Sequence, residues 1–155
     1  MYAKSKLLLT AALLVAASLG LIGCKSLDKP ASASFASVRI QFRTPEQIRE
    51  ATIAVFKQDG YAPVPTPPPN LVFEKEGSRW DQIAYGSSFV SDGTAWIRVK
   101  ASIVPLSEDT FRLQCNAFMV RSKGDKTLEE EVKLRDNHSK PYQALLDKVL
   151  GRLQR

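Results

Sequence analysis

Apolar and polar residues alternate with a period of two over several stretches of the chain. In the most regular stretch, 95–103, the apolar residues are separated by Trp96, Arg98, Lys100 and Ser102. Successive side chains of a strand point to opposite faces of a sheet, so this pattern predicts a half-buried strand. Similar patterns or short apolar runs predict about five strands in all, at 38–42, 71–75, 95–103, 111–121 and 128–134. The alternation in the first of them places Phe42 in phase with Val38 and Ile40.

Two helices are predicted between and after these strands. The first opens at Thr44-Pro45-Glu46-Gln47, which has the residues of a capping box with proline at the first helical position, and it ends at Asp59-Gly60. Its apolar side consists of Ile48, Ala51, Thr52, Val55 and Phe56. The second opens at Ser139-Lys140-Pro141. Its apolar side consists of Tyr142, Leu145, Leu146, Val149 and Leu153.

The connecting segments carry turn signals. Segment 61–70 holds five of the nine prolines and cannot form a central strand, so we expect a polyproline-type loop or a sheet edge there. An alternative interpretation is a ligand for an aromatic groove. Segments 105–109 and 122–126 are predicted turns, and 78–86 is a predicted capped helical turn.

The order of these elements predicts the fold class. It is β, α, β, a helical turn, β, β, β, α, which is typical of an α+β domain with an antiparallel sheet of about five strands. We expect the helix after strand 1 and the C-terminal helix to pack on one face of that sheet. The predicted domain covers residues 38–155, which is long enough for one hydrophobic core.

The first 23 residues have the composition of a secretory signal peptide. Lys4 and Lys6 precede 17 uncharged residues, 7–23. A helix of that length rises about 25 Å, which is slightly short of a hydrocarbon core about 30 Å thick. An uncleaved signal anchor is therefore the second interpretation. Residues 25–37 are small and polar with one proline, as in a flexible tether that reaches roughly 40 Å when extended.

The end of the apolar run resembles the lipobox of bacterial lipoproteins. The matching residues are Leu21-Ile22-Gly23-Cys24, followed at once by polar residues. The resemblance implies that the Cys24 thiol carries a diacylglycerol, that a signal peptidase cuts before Cys24, and that the new amino group is often acylated too. Two or three acyl chains would make a lasting membrane anchor, whereas one binds at only about 10⁴ M⁻¹.

The same resemblance implies a location and suggests an architecture. Lipoproteins retained in the inner membrane of diderm bacteria tend to carry aspartate after the lipidated cysteine, and here that position is Lys25. The expected location is thus the outer membrane, facing the periplasm. The element order and the lipidated start are also similar to the helix-grip modules of lipoproteins in the barrel-assembly machinery.

The charge argues against a nucleic-acid-binding function, and the cysteine content argues against an intrachain disulfide. Loss of Lys4 and Lys6 with the leader lowers the formal net charge from +6 to +4, and the surplus is spread along the chain, which does not favour a nucleic-acid groove. With Cys24 acylated, Cys115 is left alone, so no intrachain disulfide forms. Cys115 lies in phase with Leu113 and Ala117, which predicts a buried, inert thiol.

No catalytic set or cofactor motif is evident, so we expect no enzymatic activity and no cofactor. His138 is the only histidine, and a nucleophile elbow and phosphate-binding loops are missing. One histidine and one buried cysteine cannot form a zinc site, so no metal is expected. The carboxylates that would be needed for acid-base chemistry are interpreted as solvated surface groups; they are Glu74, Glu76, Asp81 and Asp92.

The predicted function is that of a non-enzymatic, lipid-anchored cell-envelope lipoprotein that binds a protein or envelope partner. The alternative is a small-ligand or glycan-binding module with a pocket between the sheet and the C-terminal helix. Trp80, Tyr85 and Trp96 are the candidate residues for a ligand or partner surface. Aromatic residues that fix a short helix to the sheet are the alternative interpretation of Trp80 and Tyr85.

Overall fold

An antiparallel sheet and two helices make up the computed structural model, which describes residues 35–77, 95–125 and 127–155. The strands of the described part are β1 (Ala36–Gln41), β2 (Ala62–Val64), β3 (Asn70–Glu76), β4 (Trp96–Ser107), β5 (Thr110–Arg121) and β6 (Glu130–Lys133). The helices are α1 (Pro45–Gln58) and α2 (Lys140–Leu153), and a short 3₁₀ turn (Asp136–His138) precedes α2. No helix in this part of the chain has the length and apolar content needed to cross a membrane.

The strands are ordered β1-β5-β4-β3-β2, and every neighbouring pair is antiparallel. β6 pairs with residues 118–121 of β5, while β1 pairs with residues 110–115 of the same strand. Because β4 occupies the other side of β5, β1 and β6 lie end to end along one edge. The long central hairpin β4–β5 therefore pairs directly with β1, β3 and β6.

The predicted fold class is confirmed: the domain is α+β, with a helix after the first strand and a C-terminal helix. β1 begins at Ala36, two residues before the predicted start, and Ala62–Val64 adds a sixth strand. The division of the chain into leader, tether and domain stays a prediction. The lipobox and the predicted helical turn at 78–86 lie outside the described residues.

Both helix starts agree with their sequence signals. The Gln47 amide donates to Thr44 Oγ1 at 3.2 Å, and the Thr44 amide donates to Gln47 Oε1 at 3.0 Å, which completes the capping box. α2 begins after Ser139 with proline in its first turn, although the Ser139 side chain makes no capping hydrogen bond. The predicted apolar sides are buried in both helices, apart from Leu153, which is half-buried against the core.

The core lies between the two helices and one face of the sheet. Alternate residues of the central strands, such as Val99, Leu113 and Ala117, have no exposed surface. They belong to the same buried cluster as Phe56 of α1, whose ring stacks on Phe73 with 4.3 Å between centroids. The opposite face of the sheet has no helix over it in the described part of the chain. We call it the open face; its side chains include Arg39, Glu74, Trp96, Arg98, Lys100, Arg112, Gln114, Asn116 and Phe118.

Two side chains attach α2 to the rest of the domain. The Gln143 amide accepts a hydrogen bond from the Ser37 backbone N–H and donates one to the Ser37 carbonyl, both at 3.1 Å. This amide thus substitutes for a neighbouring strand at the outer edge of β1. At the other end of α2, Arg43 Nε donates to the Leu153 carbonyl at 2.8 Å, where a cation also complements the helix dipole.

One predicted turn is displaced. Pro105 was expected to begin the turn after the fourth strand, but β4 continues to Ser107, with an irregularity between Pro105 and Ser107. The Ile103 N–H donates to the Pro69 carbonyl, on the β3 side, so the nitrogen two residues later also faces that side. β3 begins only at Asn70, so Pro105 has no strand partner there and its missing N–H costs no ladder bond.

The proline-rich segment forms the opposite edge of the sheet. Among the described strands β2 pairs with β3 alone, and Ala62, Pro63 and Val64 are all exposed. A proline cannot donate to an added strand, so this edge resists further pairing. The edge interpretation of segment 61–70 is confirmed for Ala62–Val64, and the aromatic-groove interpretation stays a prediction.

Leu146→Ala tests the packing of α2. Leu146 has no exposed surface, so we expect the substitution to lower the free energy of unfolding by about 2–5 kcal/mol. Leu128→Ala is the matched control, because Leu128 is 66% exposed and its loss should change stability by about 0.5 kcal/mol or less. Urea denaturation of the full chain, followed by circular dichroism, measures both, and equal effects would contradict the packing described above.

Candidate functional site

Trp96 is the one candidate surface residue that falls within the described residues. It begins β4, where Glu76 and Val120 are its cross-strand partners, and its ring is half-buried on the open face. Lys123 Nζ lies 3.4 Å from the centroid of that ring, which is a close cation–π contact. Its neighbour Ile97 faces the helices, so Trp96 faces away from α2 and does not line a pocket beneath it. Trp80 and Tyr85 lie outside the described residues.

A group of ion pairs surrounds Trp96 on the open face. Glu74 of β3 is 8% exposed and contacts two cations, Arg98 and Lys123, each at 2.6 Å. Arg98 is also its direct cross-strand partner. Such a pairing holds two neighbouring strands together through their side chains as well as through the backbone.

Arg98 also links β4 to β6 and to the residue before it through their side chains. Arg98 Nη1 donates to Glu129 at 2.7 Å and also to Glu131, and Lys100 Nζ lies 2.6 Å from Glu131. We call this set the charge network; its members are Glu74, Arg98, Lys100, Lys123, Glu129 and Glu131. Three carboxylates and three cations balance, so the charge network is electrically neutral and its groups contact each other.

The charge network fixes the ionisation of its members. Burial would raise the pKa of Glu74, but hydrogen bonds from Lys123 and Arg98 and the two positive charges outweigh it, so the pKa lies below the ordinary 4.5. Burial, opposed by Lys100 and Arg98, leaves the pKa of Glu131 lowered in the same way. The pKa of Arg98 is raised, because three carboxylates outweigh its burial. Glu74 therefore stays ionised at neutral pH and is a poor proton donor.

The interpretation of Glu74 as a solvated surface group was wrong. It occupies a polar position of β3, as the pattern indicates, but the register places Arg98 beside it and Lys123 over it, which removes it from water. Sequence periodicity reveals the face of a strand and not the cross-strand partner. Glu76 is exposed at the end of β3, and Asp81 and Asp92 lie outside the described residues.

The remaining candidate chemistry is separated in space. Cys115 is buried, and burial raises the pKa of its thiol to about 12, as expected for an inert thiol. His138 ends the 3₁₀ turn before α2. Among residues 35–77, 95–125 and 127–155, no three histidine, cysteine, aspartate or glutamate residues come together as metal ligands would.

Phe42 is an exposed aromatic residue that the periodicity assigned to the buried face. It follows the last residue of β1, has φ of 55° and is 75% exposed. β1 ends at Gln41, and the chain must reach the helix cap at Thr44 within three residues, so Phe42 turns out of the strand. Its N–H donates to the Asp109 carbonyl at 2.9 Å, which fixes the turn. No sequence signal identified this residue as exposed.

Phe42 borders a cavity of about 440 Å³ at the end of the sheet. α1 contributes its first turn to the wall, and the β4–β5 turn contributes Glu108 and Asp109. Leu106, which is 39% exposed, lies at the same end, because Gln41 and Ser107 are both opposite Thr110. We call Phe42, Leu106, Glu108 and Asp109 the Phe42 surface.

The interface between the sheet and α2 is closely packed where it is described. Leu146 and Val149 of α2 and Leu113 of β5 are fully buried in one cluster. Two further cavities, of about 310 and 470 Å³, are lined by residues of α1, α2 and their flanking turns and not by the sheet. The described residues thus give no support to the ligand pocket that was the alternative prediction.

Comparisons with known proteins identify no family. The chain matches no protein-family model and no curated protein. Among solved structures it is similar to the adenylate sensor from AMP-activated protein kinase, described in complex with 5-aminoimidazole-4-carboxamide 1-β-D-ribofuranotide. The two are 14% identical with a TM-score of 0.44, and the match covers 79% of this chain and 98% of the other. Chains at this distance need not share a fold or a ligand.

Glu74→Gln tests the charge network. Arg98 and Lys123 lose a charged acceptor, so we expect the free energy of unfolding at pH 7 to fall by about 1–3 kcal/mol. Glu76→Gln removes the same charge two residues further along β3, at an exposed position, and should have little effect. Urea denaturation of the full chain measures both variants.

The lowered pKa values also predict a pH dependence. The unfolded chain binds protons at the ordinary pKa near 4.5, whereas folded Glu74 and Glu131 bind them only at lower pH. The stabilisation is therefore complete above about pH 5 and is lost as the pH falls below about 4.5. Glu74→Gln should make the unfolding free energy less steep between about pH 5 and pH 3. An unchanged slope would show that Glu74 has no such role.

Proposed function

We propose that this chain is a non-enzymatic, lipid-anchored protein of the cell envelope, whose domain binds a protein partner through the Phe42 surface. The exposed aromatic ring of Phe42, held in a strained backbone conformation, is the observation that carries this proposal. The Leu21–Cys24 motif supports the anchor, and Lys25 favours the outer membrane with the domain facing the periplasm.

The left-handed backbone conformation of Phe42 indicates that this residue is kept exposed for a function. An L-residue with a side chain in the left-handed region costs on the order of 1–2 kcal/mol, and a bulky aromatic residue is rare there. Packing does not compensate for this cost, because Phe42 is 75% exposed. Strain of this kind collects at recognition sites, where the conformation is needed for contact.

The surroundings of Phe42 have the composition of a protein contact. A large aromatic side chain commonly supplies much of the binding energy of an interface, with polar residues around it. Here Phe42 and Leu106 are the exposed apolar members, and Glu108 and Asp109 line the cavity that Phe42 borders. The adjoining cavity would accept a side chain of the partner.

The charge network supports a binding role over a catalytic one. Its three carboxylates are held ionised by direct contact with cations, so none of them is poised to exchange a proton near neutral pH. The network joins β3, β4 and β6 into a rigid sheet, which is a suitable base for a contact surface at the other end.

Cys24→Ala tests the anchor. In a bacterium that has the lipoprotein pathway, we expect the membrane fraction to contain a species whose intact mass equals the chain from Cys24 plus two or three acyl chains. The variant should lack this species, because no other side chain in the motif can form the thioether. An unprocessed and unmodified mass for the wild type would instead identify residues 1–23 as a signal anchor.

Substitutions at Phe42 test the contact surface. A photoreactive amino acid at position 42 of the full chain should cross-link to one partner protein in cells, whereas the same probe at exposed Leu128, at the other end of β5, should not. Phe42→Gly should abolish the association and raise the free energy of unfolding by about 1 kcal/mol, because glycine adopts this backbone without strain. Identical cross-links from the two positions, or none from position 42, would contradict the proposal.

A further inference from the structure

The cavity beside Phe42 has two aromatic residues in its wall. Phe42, which is 75% exposed, contributes one ring, and Phe111 of β5, which packs half-buried against the core, contributes the other. Neither ring makes a ring–ring or cation–π contact with another described residue. The face of an aromatic ring carries partial negative charge and attracts cations. Both rings are therefore available to a positively charged group that enters the cavity.

Two carboxylates line the same cavity. Glu108 and Asp109 are exposed residues of the turn between β4 and β5. Neither side chain makes an ion pair or a hydrogen bond within the described part of the chain. The Asp109 backbone carbonyl accepts the Phe42 N–H at 2.9 Å, but this bond does not use the carboxylate. The turn is thus held through its backbone, and both carboxylates can receive a ligand.

Arg43 also lines the cavity, but its guanidinium is bonded elsewhere. Nε, at 2.8 Å, and Nη2 both donate to the Leu153 carbonyl at the end of α2, and Nη1 donates to the Phe42 carbonyl at 3.2 Å. The last carbonyls of a helix carry partial negative charge and bind a cation favourably. One cation against two carboxylates leaves the cavity wall with a net negative charge, whereas the whole chain has a formal net charge of +6.

The nearby N-terminus of α1 does not account for the two carboxylates. Acidic residues near the start of a helix complement its dipole, and α1 already has Glu46 in its first turn. The Gln47 N–H donates to Thr44 Oγ1 in the capping box. Glu108 and Asp109 therefore add negative charge beyond the acidic residue that α1 itself carries.

We propose that the partner of the Phe42 surface inserts an arginine side chain into this cavity. This inference rests on the proposed binding role of that surface. A guanidinium is planar, stacks on aromatic rings and donates to carboxylates in a fixed fork, so it matches both kinds of group in the wall, whereas a lysine would supply only the charge. The cavity of about 440 Å³ is within the range of ligand sites, about 300–1,000 Å³, and has room for one long side chain.

The first test repeats the cross-linking from position 42 in variants with altered charge. Glu108→Gln and Asp109→Asn together neutralise the turn and leave the backbone bond from position 42 intact. We expect the yield of cross-linked partner to fall by about fivefold or more, because complementary charges favour association. The matched control, Glu76→Gln with Glu130→Gln, removes two exposed charges at the opposite end of the sheet and should leave the yield unchanged. Mass spectrometry should find an arginine beside the cross-linked position of the partner.

A second test uses two synthetic peptides and does not require the partner. Both have the sequence acetyl-Gly-Leu-X-Leu-Gly-amide, in which X is arginine in one and its neutral analogue citrulline in the other. Amide signals of residues 42 and 109 in the isotope-labelled, detergent-solubilised full chain report binding in NMR spectra. The arginine peptide should bind about ten times more tightly, because citrulline cannot form charge-assisted hydrogen bonds. The neutral turn variant should remove this difference, and the control variant should keep it.

The outcomes separate this inference from the proposed function. Equal binding of the two peptides to the wild type would overturn the arginine site. Cross-linking from position 42 that is insensitive to the neutral turn variant would also refute the arginine contact, but would leave the proposed contact surface in place. Absence of any cross-link from position 42 would refute the proposed function, while the peptides would still decide whether the cavity binds arginine. A cross-link to a second copy of this chain would overturn the assignment to a separate partner.

Discussion

Burial of one face of the sheet beneath α1 and α2 is the interaction on which the rest of the domain depends. The central hairpin β4–β5 contributes alternate residues such as Val99 and Leu113 to this face, and Phe56 and Leu146 close it from the helix side. Side chains alternate between the two faces of a strand, so a strand that buries one set of residues must present the other set on the opposite face. The polar side chains of the open face lie there for this reason. In the described part of the chain both helices lie on one side of the sheet, which leaves the other side as the open face.

The open face carries the charge network, in which the ions lie in direct contact. Around Glu74 and Arg98, positive and negative side chains are matched in number and in contact, which links β3, β4 and β6 through their side chains. This pairing of charges across strands contributes to the stability of the fold.

Periodicity and capping signals predict most of the fold. The strands, both helices with their buried sides, and the capping box at Thr44 follow from residue patterns that act within a few positions of each other. The charge network does not follow in this way, because it depends on the register that brings Arg98 beside Glu74 and β6 beside β5. The exposure of Phe42 also escaped the pattern, since an apolar residue in phase with a strand is expected to be buried unless the strand ends before it.

The attachment of Gln143 to Ser37 has a mechanical consequence. The chain enters the domain at Phe35 and Ala36, in the middle of the edge of β5, where β1 and β6 meet end to end. A pull on the preceding segment reaches β1 at its first residues and would peel its ladder bonds away from β5 one after another. The two hydrogen bonds between Gln143 and Ser37 hold β1 at this point and transmit part of the force to α2. α2 is anchored in the core by the buried side chains of Leu146 and Val149. The domain is thereby built to resist tension that is applied to the first residues of β1.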